Sequence, residues 1–105
     1  MLLAAAQKQR IYQVAEVSVP PHVASKIEPK YTARARAAKI QGKVVLTMVI
    51  KTNGHADHIQ VQQSLDKGLD ANAVSAIKKW SFEPAKKDGK LVPVNATIEV
   101  NFHLL

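Results

Sequence analysis

Cysteine is absent from the 105-residue chain, which excludes disulfide bonds, thiolate metal sites and cysteine nucleophiles. Aromatic residues number one Trp, two Tyr and two Phe, and they do not interleave with basic residues as in a platform for single-stranded nucleic acid. The four glycines are too dispersed to form a phosphate-binding loop. No apolar run approaches the roughly 20 residues that a membrane-spanning helix needs.

Catalytic and metal-binding groupings are also missing from the sequence. No serine stands in the context of a nucleophile elbow. His55 and His58 would point to opposite faces of a strand, and no cysteine or third histidine lies near them in the sequence. We therefore predict that the protein is not an enzyme and binds neither a metal nor a cofactor.

Positive charge is in excess, with 15 Lys and Arg against 8 Asp and Glu and a net charge of +7. The basic residues are scattered along the chain, and the longest basic runs are the pairs Lys78-Lys79 and Lys86-Lys87. A scattered pattern favours charge that serves solubility over a nucleic-acid interface. We predict no nucleic-acid partner.

The clearest pattern lies at residues 92–104, where every even position is apolar and the positions between are polar apart from Pro93. A period of two predicts a strand with one dry and one wet face. A wet face favours an antiparallel sheet that helices cover on one side. Because proline is confined to edge strands, strand starts and bulges, Pro93 is compatible with an edge strand. Unpaired main-chain groups at such an edge can accept another extended chain.

Upstream of this strand the sequence predicts a helix and a hairpin. Thr32 is placed to cap a helix at residues 33–40. A strand follows at residues 43–51, and Asn53-Gly54 predicts a tight turn because both residues tolerate positive φ. The returning strand covers residues 55–64, and its inward side chains are those of Ile59 and Val61.

A second helix is predicted between the hairpin and the last strand. Residues 66–69 read as a loop, and Asp70 is placed to cap a helix at residues 71–80. The apolar positions of this helix form one stripe, and its two lysines lie near the C-terminus, where they suit the helix dipole. Residues 86–89 are predicted as a solvated turn.

These elements predict an α+β fold. A three-stranded antiparallel sheet, in the order second–first–third, carries two helices packed on one face, and the last strand lies at its edge. Residues 22–105 form this domain. Residues 1–21 form an N-terminal tail that is partly ordered and docks on the domain or on a second copy, and its first ten residues favour a short helix.

An ordered set of short motifs runs through residues 27–104. The set comprises Glu28-Pro29-Lys30-Tyr31, Ile40-Gln41-Gly42-Lys43-Val44, Asn53-Gly54, Leu69-Asp70, Trp80-Ser81-Phe82-Glu83-Pro84-Ala85 and Asp88-Gly89-Lys90. In this order, and followed by a long alternating strand, the motifs resemble the C-terminal domain family of the energy-transducing protein TonB. The sequence departs from the family at Thr32, where proline is usual, and at Glu28, where the best-known members have glutamine.

The resemblance implies a periplasmic domain tethered by a separate helix in the inner membrane. Such a domain grips the TonB box, a short peptide of a TonB-dependent outer-membrane transporter, which adds as a strand to an edge at about residues 95–103. Partners of the ExbB and ExbD type supply the proton-motive force through the anchor. The residues that the resemblance places beside the peptide are Glu28, Tyr31, Asn95, Thr97, Ile98, Glu99, Asn101 and His103.

Alternatives remain open at this point. Tyr31 could equally staple the first helix to the sheet. Glu99 and Asn101 are ordinary solvated residues unless a peptide docks on the strand. The same edge could instead pair two copies into a homodimer, and a basic nucleic-acid binder would show salt-sensitive binding to any duplex.

Overall fold

The computed structural model of the chain describes residues 10–105. Its two α-helices are α1 (Ala33–Ala37) and α2 (Lys67–Lys79). A 3-10 turn at Val14–Glu16 follows the first strand. The strands are β1 (Tyr12–Gln13), β2 (His22–Ser25), β3 (Gly42–Ile50), β4 (Ala56–Gln63), β5 (Ser81–Glu83), β6 (Ala85–Lys87), β7 (Lys90–Val92) and β8 (Val94–Phe102).

The main sheet has four strands in the order β1-β8-β3-β4. β8 pairs antiparallel with β3 without a break in register, from Gly42 opposite Phe102 to Ile50 opposite Val94. β4 lies antiparallel on the other side of β3. The α+β class and the predicted order of three strands are therefore present. The predicted strand count is wrong, because β1 adds a parallel fourth strand beside the start of β8.

The core lies where the dry faces of β3 and β8 meet the helices. The even-numbered positions of β3 from Val44 to Ile50 are buried, and Val94, Val100 and Phe102 of β8 are at most 4% exposed. Leu69, Ala73 and Ile77 of α2 are fully buried in the same cluster. Burial of each large apolar side chain contributes roughly 1.5–3 kcal/mol before ordering entropy is counted, so the alternating pattern accounts for the packing of the sheet.

The helix α1 begins where the sequence predicts. Thr32 is its N-cap, and the Thr32 hydroxyl accepts a 3.0 Å hydrogen bond from the Ala35 main-chain N–H. The predicted end at residue 40 is wrong, because the chain enters the left-handed region at Lys39, with φ of 56°. The Ile40 N–H then donates to the Ala35 carbonyl and closes the helix.

The helix α2 begins one turn earlier than the sequence predicts. Asp66, not Asp70, is the N-cap, and its carboxylate accepts a 3.0 Å hydrogen bond from Leu69 N–H. The Asp70 carboxylate instead accepts from Leu65 N–H at 3.0 Å and from the Ser64 hydroxyl, which orders the loop before the helix. Because Gly68 lowers the helix propensity of this turn, residues 66–69 resemble a loop in the sequence.

The β3–β4 hairpin has a longer loop than Asn53-Gly54 predicts. Of these two residues only Gly54 has positive φ, at 84°. The Gly54 N–H donates to the Lys51 carbonyl and the Lys51 N–H donates to the His55 carbonyl. This is a turn followed by a left-handed glycine, the next most common hairpin type after the two-residue loop.

The strand β4 is less regular than predicted. Its register with β3 shifts twice, and His58 has φ of 51°. Ile59 packs on the core as expected. Val61 lies opposite the buried Leu46, on the predicted face of the sheet, but 41% of it remains exposed at the edge strand. A β-bulge displaces side chains from the alternation that the sequence pattern assumes.

Two small sheets were not predicted from the sequence. β2 pairs antiparallel with β5, and β6 forms a hairpin with β7. The turn of this hairpin carries positive φ at both Asp88 and Gly89. The predicted strand over residues 92–104 is interrupted at Pro93, between β7 and β8.

The short helix favoured for the first ten residues lies outside the described residues, except for Arg10. Within residues 10–105, neither helix is long and apolar enough to cross a membrane.

Candidate functional site

The outer side of β8 presents main-chain groups in a regular row. The Tyr12 N–H donates a 3.0 Å hydrogen bond to the Pro93 carbonyl, which therefore faces away from β3. Neighbouring residues of a strand direct their main-chain groups to opposite sides. The N–H and C=O groups of Thr97, Glu99 and Asn101 consequently face outward as well.

The even-numbered residues direct their main-chain groups toward β3. The Leu104 N–H donates a 2.8 Å hydrogen bond to the side-chain oxygen of Gln41, on the β3 side. Within residues 10–105 no strand pairs with the outer side of residues 97–101. We call residues 97–101 the open edge.

The open edge is shorter than the sequence predicted. Asn95, the first of the predicted edge residues, lies opposite Gln13 of β1, so the prediction of a free edge is wrong there. The chain leaves the sheet at the 3-10 turn, where the Gln13 N–H donates a 2.8 Å hydrogen bond to the Glu16 carboxylate. This turn stops β1 from extending along β8.

The carboxylate of Glu16 holds the turn through two partners. The hydrogen bond from the Gln13 main chain lowers the pKa of Glu16 below its ordinary value of 4.5, and the nearby charge of Arg10 acts in the same direction. Arg10 also forms an ion pair with Glu16 and lies over the Tyr12 ring. β1 is thereby fixed at its place beside Asn95.

An apolar groove follows one half of the open edge. It encloses about 230 Å³ and includes Ile98, a predicted site residue, on its β8 wall. Val14 and Val23 on the opposite wall are 45% and 49% exposed. The opposite wall also carries two residues that cannot donate a main-chain hydrogen bond, Pro20 and Pro21.

A second groove, which we call the charged groove, continues along the other half. It encloses about 250 Å³ and brings together four predicted site residues, Glu28, Glu99, Asn101 and His103. Lys26, Pro29, Trp80 and Val100 complete its lining. The Glu99 carboxylate forms a 3.0 Å ion pair with Lys43 across the strands, and both side chains are well exposed.

Tyr31 connects the first helix to the sheet, which is the alternative that the sequence left open. Its hydroxyl donates a 2.7 Å hydrogen bond to the Ile40 carbonyl, and its ring packs edge-on against Phe102 with centroids 5.5 Å apart. Tyr31 thus joins α1 to the end of β8. It lines neither groove described above, but a third one beyond His103.

The polar face of the sheet holds the remaining predicted residues. Asn95 and Thr97 line an open cavity of about 470 Å³ there, with Gln13, His58 and Gln60. Thr97 borders both this cavity and the apolar groove, as expected of a residue at the rim of a sheet. Within residues 10–105 no three His, Cys, Asp or Glu side chains are grouped closely enough to hold a metal ion.

Sequence reasoning missed the wall that faces the open edge. The exposed valines at positions 14 and 23 are the signal that marks this wall, because large apolar side chains at the surface of a small domain often indicate an interaction site.

The chain matches known proteins over most of its length. A model of the Gram-negative bacterial TonB protein C-terminal family matches residues 27–104. The protein TonB of Escherichia coli (strain K12) is 29% identical over 89 residues, which cover 84% of this chain and 37% of that protein. The protein TonB of Xanthomonas campestris pv. campestris (strain B100) is 32% identical over 77 residues, covering 72% of this chain and 34% of that protein. The chain thus spans about a third of the length of these relatives.

A solved structure has the same fold. The solution NMR structure of the Pseudomonas aeruginosa TonB CTD superposes with a TM-score of 0.61 at 27% sequence identity. The match covers 81% of this chain and 89% of that one.

Proposed function

Because this chain belongs to the family of Gram-negative bacterial TonB protein C-terminal domains, we propose that it is the peptide-binding domain of an energy transducer. Its ligand is the TonB box of an outer-membrane TonB-dependent transporter. The domain binds this peptide by adding it as a strand to the open edge of β8, and it carries out no catalysis.

The observation that carries this proposal is the outward row of main-chain groups on β8. Thr97, Glu99 and Asn101 each direct an N–H and a C=O away from β3, and residues 10–105 supply no strand to meet them. An added strand would satisfy these groups, and each hydrogen bond contributes a net of about 0.5–1.5 kcal/mol. Backbone pairing of this kind supplies affinity with loose sequence selectivity.

The two grooves provide the limited selectivity of the domain for the sequence of the peptide. Alternate side chains of an added strand point to opposite faces of the sheet. Those on the core side would enter the apolar groove between Ile98 and Val23, which favours apolar residues at every second position of the guest. The guest, the peptide that adds to β8, is therefore a short extended segment with an apolar residue at every second position.

The cellular setting follows from the same family membership and is part of the proposal. The domain works in the periplasm, and the whole protein is anchored in the inner membrane by a helix outside this chain. Partners of the ExbB and ExbD type drive it from that anchor. The transporter then receives the mechanical work through the peptide that the open edge holds.

Titration with a synthetic TonB-box peptide, followed by amide NMR, tests the proposal. We expect shifts and slowed hydrogen exchange at Thr97, Glu99 and Asn101. A peptide with N-methyl groups at alternate residues is the control, because it keeps its side chains but cannot complete the ladder. Shifts confined to the helices, with the open edge unchanged, would reject the proposal.

Sedimentation across a concentration range separates this function from the homodimer alternative. A peptide-binding domain remains monomeric without ligand and keeps its open edge exchangeable. A stable dimer in which Thr97 and Glu99 are protected in the absence of peptide would favour the pairing of two copies.

A further inference from the structure

A third groove lies just past the end of β8, between that strand and α1. It encloses about 600 Å³, and its lining includes Arg36, Lys39, His103 and the phenol ring of Tyr31. Gln41, Leu104 and Leu105 complete the lining. Within residues 10–105, no Asp or Glu side chain lines this groove, which we call the cationic groove.

Local structure fixes the Arg36 guanidinium and the backbone of Lys39 in this groove. The guanidinium of Arg36 lies 5.2 Å from the centre of the Tyr31 ring, and Tyr31 is itself fixed by its hydrogen bond to Ile40. Lys39 occupies a left-handed backbone position with φ of 56°, and its N–H donates to the Arg36 carbonyl. Among residues 10–105, neither Arg36 nor Lys39 forms an ion pair with a carboxylate.

The cationic groove is continuous with the open edge. His103 lines both the charged groove and the cationic groove, so one extended chain can pass from residues 97–101 to Arg36 and Lys39. The charge changes along this path. Glu28 and Glu99 lie beside the paired stretch together with Lys26, whereas no Asp or Glu side chain of residues 10–105 lines the cationic groove at its end.

We propose that the cationic groove binds acidic residues of the guest segment, just outside the part that pairs with the open edge. This inference rests on the proposed function, because the guest must first be held on β8. Carboxylates at one end of the guest would then meet Arg36 and Lys39, whereas the cations near the other end, Arg10 and Lys87, already act on the carboxylate of Glu16. The groove thereby selects the direction and the charge pattern of the guest.

Three peptides that share one paired sequence test this inference. One has neutral ends, one carries two glutamates at its amino end and one carries them at its carboxyl end. We expect all three to shift the amides of Thr97, Glu99 and Asn101. One acidic peptide should bind about threefold to tenfold more tightly than the neutral one, and the difference should shrink at high salt.

Two matched double variants complete the test. Arg36→Gln with Lys39→Gln should abolish the gain of the acidic peptide and leave the affinity of the neutral peptide unchanged. Lys78→Gln with Lys79→Gln removes the same charge from exposed positions on α2 and should preserve the gain. The neutral peptide also reports that each variant is folded.

The outcomes are distinct. If the neutral peptide binds but neither acidic peptide binds more tightly, the cationic groove has no role in recognition and the proposed function stands. A gain that survives in the Arg36 and Lys39 variant, or that falls equally in both variants, also overturns the inference. If no peptide shifts the open edge, the proposed function fails and this inference fails with it.

Discussion

The indole N–H of Trp80 donates a 2.9 Å hydrogen bond to the main-chain carbonyl of Ile27. Trp80 is only 8% exposed and packs near Phe82, so its position is set by the core. Ile27 lies beside Lys26 and Glu28, which line the charged groove. This hydrogen bond connects the core to residues 26–28 of the wall that faces the open edge, in addition to the pairing of β2 with β5.

Replacing Trp80 with phenylalanine should loosen residues 26–28 of that wall, while the pairing of β2 with β5 remains. Trp80→Phe retains an aromatic ring but removes the donor to Ile27. We expect the free energy of unfolding to fall by about 1–3 kcal/mol, from the lost hydrogen bond and the smaller ring, as measured by urea denaturation. Amide exchange at Lys26 and Glu28 should accelerate more than exchange in β3. Unchanged exchange at these two residues would show that the hydrogen bond does not hold the wall.

Removing one outward N–H should separate guest binding from folding. Thr97→Pro deletes the N–H that faces the guest, and proline is tolerated on the free side of an edge strand. We expect a folded protein, by circular dichroism, whose affinity for a TonB-box peptide falls at least about tenfold, since a ladder hydrogen bond is lost and the proline ring obstructs the partner.

The matched control for that change is Thr97→Val, which keeps both the main-chain N–H and a β-branched side chain. Its affinity for the peptide should remain close to that of the unchanged chain. If Thr97→Pro binds the peptide as well as Thr97→Val does, the guest does not pair with β8 at this residue.

Two glycines offer a comparison of strain with steric overlap. Gly54 and Gly89 have nearly equal φ, 84° and 83°, so an alanine at either would adopt an unfavourable left-handed conformation. A Cβ atom at Gly54 would lie 2.5 Å from the Phe82 carbonyl oxygen, whereas one at Gly89 would meet nothing within 4 Å. The Gly54 carbonyl also accepts a 2.8 Å hydrogen bond from Phe82 N–H.

We therefore expect Gly54→Ala to cost more than Gly89→Ala. Strain alone should lower the free energy of unfolding by about 1–2 kcal/mol at Gly89, and the overlap should add about 1–3 kcal/mol at Gly54. Thermal or urea unfolding of the two variants gives the difference directly. Equal losses would mean that the hairpin moves away from β5 without penalty.

How much of this structure the sequence predicts depends on the range of the interactions involved. The alternation in β8 and the Thr32 cap are local signals, and the structure confirms them. The cap at Asp66 was missed because Gly68 lowers helix propensity, yet there a Cβ atom would come within 3.0 Å of a Thr32 side-chain carbon. Close packing between distant segments explains a glycine that local propensity treats as a break.

The candidate site also combines residues that local patterns reveal with residues that only the tertiary fold brings together. The strand β8 was predicted from its own alternation, whereas its site residues and Glu28 were predicted from the resemblance to the family. The opposing wall at Val14 and Val23 is brought to the edge by the pairing of β2 with β5, which no local pattern reveals. β1 has only two residues, too few to produce a detectable alternation, so its cover of Asn95 was missed.

The attachment of β1 should depend on pH through Glu16. The Gln13 N–H and then the Arg10 charge lower the pKa of this carboxyl in the folded protein. A lowered pKa means that the ionised form stabilises the turn. That contribution is fully present above the unfolded-state pKa and is lost as the pH falls through the folded-state pKa, which lies below 4.5.

NMR can follow both sides of this linkage. We expect the Glu16 carboxyl to titrate below 4.5, and we expect the amides of Tyr12 and Gln13 to exchange faster as it does so. Glu16→Gln should remove this pH dependence and give faster exchange at every pH, because a neutral amide cannot form the ion pair with Arg10. Arg10→Gln, which leaves the Gln13 hydrogen bond intact, should raise the pKa only in part. If Tyr12 and Gln13 stay protected after Glu16 is protonated, hydrogen bonding to Pro93 and packing alone hold β1 against β8.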